Sequence, residues 1–350
     1  MRRSRRITYC HGFDLRGPRF FHLWQKHEAR RHGGDIEIGP RSGHRWAVRG
    51  AVSCAFVFAD WSDIAAERLK IPHAGGASLR DGTGLFLAAL RQGFFGKIRR
   101  RDWGMGAMLI WGFLPFILIL AAAVGWVLST AGAVIFAVLA ALSWMFGART
   151  GAHYIRQIAW AARRLALCDD PKIEARIAAL AADFAGDADE EIIVGHSLGA
   201  VVALRLVSRL RDQGVTRPIT LLTIGHSIPL VSQQREAQAL RQALDVVARD
   251  PATTWIDISA GRDLLAFSGF DPSGGGTACY SARLGDSFET STLDRLRWDG
   301  FAMHFQYFRA AERPGAAWDW FDILSGPAPV AERFAQQARL AGTGERRFPF

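Results

Sequence analysis

Residues 190–211 read EEIIVGHSLGAVVALRLVSRLR, and this stretch decides the fold. Residues 191–194 (EIIV) form a short apolar run of strand character. From residue 200 onward, apolar side chains recur at helical spacing, so a helix is expected over 197–211. Between strand and helix stands Gly195-His196-Ser197-Leu198-Gly199. A turn sharp enough to lift a serine hydroxyl above the edge of a sheet crowds the residues two places before and after it. Only the smallest residues fit there, which accounts for Gly195 and Gly199. A GxSxG between a strand and a helix predicts Ser197 as an activated nucleophile.

Working outward, the rest of the chain alternates in the same way. Strands are expected at 6–10, 54–59, 219–224, 254–259 and 279–284, and helices at 18–31, 171–184 and 233–248. The run CAFVFA at 54–59 is continuously apolar, as in a strand covered on both faces. This alternation predicts the α/β class, with a mostly parallel sheet and helices on both of its faces.

An elbow serine in this topology calls for an acid and then a histidine further along the chain. After residue 226 the sequence holds a single histidine, His304, which is therefore the expected base. Asp263 follows the strand TTWIDIS by four residues, in the loop SAGRD, and is the favoured acid. Asp257 lies inside the strand and reads as structural, while Asp271 stays open as a rival further along the loop. The acid would hold the imidazole tautomer and stabilise the imidazolium without taking the proton itself. Two backbone N–H groups should meet the developing oxyanion. Leu198 supplies one, and Phe13, after the His11-Gly12 that ends the first strand, the other. A second GHS at 225–227 lacks the trailing glycine and reads as a strand end that shapes the pocket.

One block stands apart. Residues 103–148 are 46 positions without Asp, Glu, Lys, Arg or His. A single span needs about 20 residues, so the block suits two membrane spans, 107–128 and 133–148, joined by a tight turn. Trp103, Trp126 and Trp144 fall near the expected ends, where indoles prefer the interface. Lys97, Arg99, Arg100 and Arg101 precede the block, and Arg149, Arg156, Arg163 and Arg164 follow it. With both flanks basic, both ends are expected to face the cytoplasm. The chain then divides into an amino-terminal part of one α/β domain (1–102), an inserted hairpin (103–148) and the rest of that domain (149–350).

Net charge follows the same division. The formal +10 is made of +8 over residues 1–50, +3 over 51–102, none in the block and −1 afterwards. A basic excess wholly upstream of an apolar block suits an anionic lipid surface, including Arg2, Arg3, Arg5 and Arg6, better than a nucleic-acid groove. No nucleic-acid partner is expected. Cys10, Cys54, Cys168 and Cys279 form no CxxC pair, so neither a zinc site nor a redox pair is suggested. The opening MRRSRRITYCHGFD lacks the apolar run of a secretory signal, and a cytoplasmic body with free thiols is the default.

Taken together, YCHGF (9–13), GHSLG (195–199), SAGRD (259–263) and MHFQY (303–307) resemble the α/β-hydrolase superfamily, in particular bacterial membrane-associated serine esterases and lipase-like proteins. The resemblance covers most of residues 5–310 and implies Ser197 as nucleophile, His304 as base and Asp263 as acid. Two departures stand out: no room for the two usual leading strands before the HG strand, and a hairpin inserted before the elbow. The expected activity is cleavage of carboxylic esters through an acyl-serine, with lipid or other amphiphilic esters favoured at the cytoplasmic face of a membrane. An acyltransferase with the same triad, and a membrane-anchored interaction module without activity, stay open. No metal or organic cofactor is implied, because a serine triad needs none.

Overall fold

The computed structural model describes residues 4–70, 103–147, 152–275, 277–296, 299–313 and 318–334. The strands are β1 (Ser4–Cys10), β2 (Glu37–Ile38), β3 (Arg45–Arg49), β4 (Ser53–Ala59), β5 (Glu190–His196), β6 (Ile219–Ile224), β7 (Thr253–Ser259) and β8 (Ala278–Ser281). They form one sheet in the order β2-β3-β4-β1-β5-β6-β7-β8. From β4 to β8 all neighbours run parallel, while β2 and β3 add an antiparallel edge. The chain is thus α/β, with a mostly parallel sheet. The edge that the sequence left without leading strands is filled by residues 37–49, which come after β1 instead of before it.

The helices are α1 (Pro18–His32), α2 (Ser62–Lys70), α3 (Trp103–Leu128), α4 (Thr130–Gly147), α5 (Ala152–Leu167), α6 (Pro171–Ala182), α7 (Gly199–Asp212), α8 (Ile228–Ser232) and α9 (Gln238–Arg249). Short helical turns follow at α10 (Leu284–Ser287), α11 (Thr290–Leu296), α12 (Gly300–His304) and α13 (Trp320–Ser325). Every residue of β6 is buried, and β5 is buried from Glu191 onward, as strands covered on both faces require. Alternation along β5 sends Ile193 into one core and Ile192 and Val194 into the other. The first core lies under α5, α6, α7 and α9, with Ala162, Ile177, Val201 and Leu240 at its centre. The second is aromatic, with Tyr9, Phe21, Phe56, Phe308, Trp318 and Trp320 packed beneath α1 and α13.

Boundaries differ where side chains interrupt the pattern. The helix expected over 233–248 begins only at Gln238, as α9; the short α8 precedes it, and between the two the Gln234 side chain donates to Leu230 O (3.1 Å). The strand expected over 279–284 ends at Ser281, because Arg283 adopts a left-handed φ of 46° and starts α10.

Helices α3 and α4 pack against each other as a hairpin that turns at Ser129, whose Oγ accepts from Gly132 N at 3.4 Å. Its root is embedded in the body. Phe113 is buried in the first core, and the buried guanidinium of Arg156 on α5 donates to Gly112 O (3.1 Å). Beyond the root the hairpin is bare, with Leu120 68% and Trp126 66% exposed. Among the described residues, no helix is long and apolar enough to cross a membrane, so these helices give the expectation of two spans no support. The basis for their orientation also changes. Lys97, Arg99, Arg100, Arg101 and Arg149 lie outside the described residues. Arg156, Arg163 and Arg164 do not form a free basic belt: Arg156 holds Gly112, Arg163 pairs with Glu236 at 2.8 Å, and Arg164 with Asp169 at 3.0 Å.

Candidate active site

Ser197 stands directly after β5 with φ of +57°, a left-handed conformation that costs an ordinary residue about 1–2 kcal/mol. The neighbouring glycines explain how the chain tolerates it. A β-carbon on Gly195 would lie 2.4 Å from Ala200 Cα, and one on Gly199 would lie 2.1 Å from Cys10 O. Both are backbone contacts that cannot yield. The elbow is pinned to the end of β6 by Ser197 N donating to Ile224 O (3.1 Å) and Ser227 N donating to Ser197 O (3.3 Å).

Across the carboxyl edge of the sheet, His304 Nδ1 lies 2.7 Å from Asp263 Oδ2. A carboxylate only accepts, so Nδ1 carries the hydrogen and Nε2 keeps its lone pair. That Nε2 is buried and has no partner among the described residues. Asp263 is held by two further donors, the Tyr307 hydroxyl at 3.0 Å to Oδ2 and Leu265 N at 3.0 Å to Oδ1. Tyr307 in turn accepts from Ala260 N at 2.9 Å. Burial and the adjacent carboxylate push its phenol well above the usual range, so the hydroxyl stays a donor.

The other acids are engaged elsewhere. Asp271 Oδ1 accepts from the backbone and hydroxyl of Ser273, both at 2.9 Å. Asp257 is buried inside β7, where it accepts from Thr223 Oγ1 at 2.6 Å, and burial pushes its carboxyl well above the usual range. The structure therefore brings Asp263, not Asp271 or Asp257, to His304.

Ser197, Leu198, Phe13 and His304 line one cavity, whose water-accessible space is about 60 Å³. Its other walls are largely apolar, with Ile158, Leu230, Leu265, Phe301 and Phe305. The N–H groups of Phe13 and Leu198 donate to nothing among the described residues, which leaves both available to an oxygen in the cavity. Ser227, from the second GHS, also lines this cavity.

Four residues of the site make contacts that the sequence did not reveal. Gly225 has φ of +52°, and a β-carbon there would meet Asp263 Oδ2 at 3.1 Å and His304 Cε1 at 3.2 Å. Tyr307 orients the acid. Tyr154, on α5, donates its hydroxyl to Phe13 O and lines the cavity. His196 packs against His304 with ring centroids 4.4 Å apart and the rings tilted by 33°, and its Nε2 donates to His304 O at 3.1 Å. Burial first, and then His304, push the His196 imidazole well below its usual range. A neutral His196 places no positive charge against His304 when His304 takes up a proton. Tyr307, His196 and Gly225 lie within MHFQY, GHSLG and the second GHS, motifs that showed their presence but not these contacts, and Tyr154 left no signal.

No known protein family, curated protein or solved structure matches the chain.

Proposed function

We propose that the chain is a serine hydrolase of the α/β-hydrolase type, cleaving carboxylic esters through an acyl-serine intermediate. The observation that carries this reading is His304, bound through Nδ1 to Asp263 at 2.7 Å and bare at Nε2, in the cavity that also holds Ser197. Ser197 Oγ attacks the ester carbonyl as its proton passes to His304 Nε2. The oxyanion is met by the N–H groups of Leu198 and Phe13, and the imidazolium by Asp263. Collapse expels the alcohol, which takes the proton from His304. Water then repeats the sequence and releases the acid and free Ser197.

The apolar lining supports an acyl chain as the buried part of the substrate. The bare hairpin supports a membrane location, since exposed leucine and tryptophan on this scale call for an apolar environment. In this reading the body sits at the cytoplasmic face of a membrane and acts on esters that partition there. Transfer of the acyl group to an alcohol would use the same residues with a different acceptor. A panel of p-nitrophenyl esters of increasing chain length, compared between wild type and Ser197→Ala, tests the reading. Wild type should hydrolyse them, and the variant should lose activity by about a thousandfold or more. Equal activity in the two would refute it.

A further inference from the structure

A second surface feature shares Arg16 with the cavity. A shallow, open groove is lined by Leu15, Arg16, Arg19, Phe20, Leu23 and Arg41. Its apolar members face outward, with Leu15 48%, Phe20 45% and Leu23 55% exposed. No carboxylate pairs with Arg19 or Arg41 among the described residues. Arg16 belongs to both features. Its guanidinium lies 4.2 Å from the centroid of Phe305, in the catalytic cavity wall, and 5.0 Å from that of Phe20, on the outer rim.

We infer that this rim is a docking face for an anionic phospholipid bilayer, which hands an acyl ester to the cavity past Arg16; the inference rests on the ester-hydrolase reading. Exposed leucine and phenylalanine ringed by arginines match the two layers of such a surface, acyl chains below and phosphates above. A protein partner would have to match a specific shape, whereas a bilayer needs only apolar points and positive charge. Helix α5 links the hairpin root to the cavity. It carries Arg156, which grips Gly112 of the hairpin, and two residues earlier Tyr154, which lines the cavity and binds the Phe13 carbonyl.

The test uses the full chain with a polarity-sensitive nitrobenzoxadiazole label on Leu23→Cys. Its emission is read with phosphatidylcholine vesicles and with mixed phosphatidylcholine–phosphatidylglycerol vesicles. A blue shift and gain in intensity are expected with the mixed vesicles, weaker with phosphatidylcholine alone and reversed by salt. Arg19→Glu and Arg41→Glu should each weaken the response about fivefold or more. Emission that stays water-like with the mixed vesicles would overturn the proposal. So would a shift without vesicles that grows with protein concentration, which would assign the face to a second copy of the chain. The labelled chain carrying Ser197→Ala should respond as the parent does, so failure to dock and failure to hydrolyse are read separately.

Discussion

Gly225 and His304 touch: a β-carbon on Gly225 would lie 3.2 Å from Cε1 of the imidazole and 3.1 Å from the Asp263 carboxylate. The acid–base pair is packed directly onto a strand end that only glycine makes thin enough. Gly225→Ala should therefore displace the pair and strain a backbone with φ of +52°. The expected result is a fall in kcat/KM of about tenfold, because the pair must give way by a few tenths of an ångström and a misplacement of about 1 Å is worth about a hundredfold. The cost in stability should be about 1–2 kcal/mol. Ester kinetics and urea unfolding check both, and an alanine variant with unchanged kcat/KM would show that the contact does not position His304.

Tyr154 supports the proposed oxyanion donor from behind, through its hydroxyl on Phe13 O. Tyr154→Phe removes that hydrogen bond without emptying the cavity wall. Donors aimed at an oxyanion act only in the transition state. The variant should thus lose about tenfold in kcat with little change in KM on a short ester. A raised KM with kcat intact would instead make Tyr154 part of substrate binding.

Acid should destabilise the fold through its buried histidines. Burial lowers the pKa of His226 from 6.5 to about 4. Between those values the unfolded chain binds a proton that the folded chain refuses. The stability held by neutral His226 is therefore complete above pH 6.5 and is lost as pH falls toward 4, about 3 kcal/mol in all. His196 has the same sign. Asp257 has the opposite one: its raised pKa holds stability at low pH that is lost as pH rises above the usual carboxylate range. Glu191, raised by burial, shares the sign of Asp257, whereas Asp60, Glu236 and Asp250, held low by their hydrogen-bond partners, add to the loss on acidification. Urea midpoints measured down this range should fall, and the fall should be shallower in His226→Gln. An equally steep variant would show that His226 is not kept neutral in the fold.

Much of the site was legible because its logic is local or exclusive. Gly195, Ser197 and Gly199 form an elbow through steric crowding within five residues, which any reader of the sequence can reconstruct. His304 stood out because no other histidine follows residue 226. What stayed hidden depends on contacts across the fold. Gly225 matters because β6 ends beneath His304, and Tyr154 because α5 passes the Phe13 carbonyl. The antiparallel edge was missed for a similar reason. β2 has two residues and β3 alternates exposed and buried positions, so neither shows the apolar run that marked the central strands. Of the basic residues after the hairpin, Arg156 is buried against Gly112 O, while Arg163 and Arg164 pair with Glu236 and Asp169 at the surface, pairings that charge counting along the chain does not reveal.

The central claim is that Ser197 is a nucleophile activated by His304. Its most direct measurement is the intact mass of the chain after exposure to a fluorophosphonate probe, followed by peptide mapping. One adduct per chain, located on Ser197, absent in Ser197→Ala and strongly slowed in His304→Ala, is the predicted result. A wild-type chain that is folded by circular dichroism yet gains no mass, or a Ser197→Ala chain that still does, would contradict it.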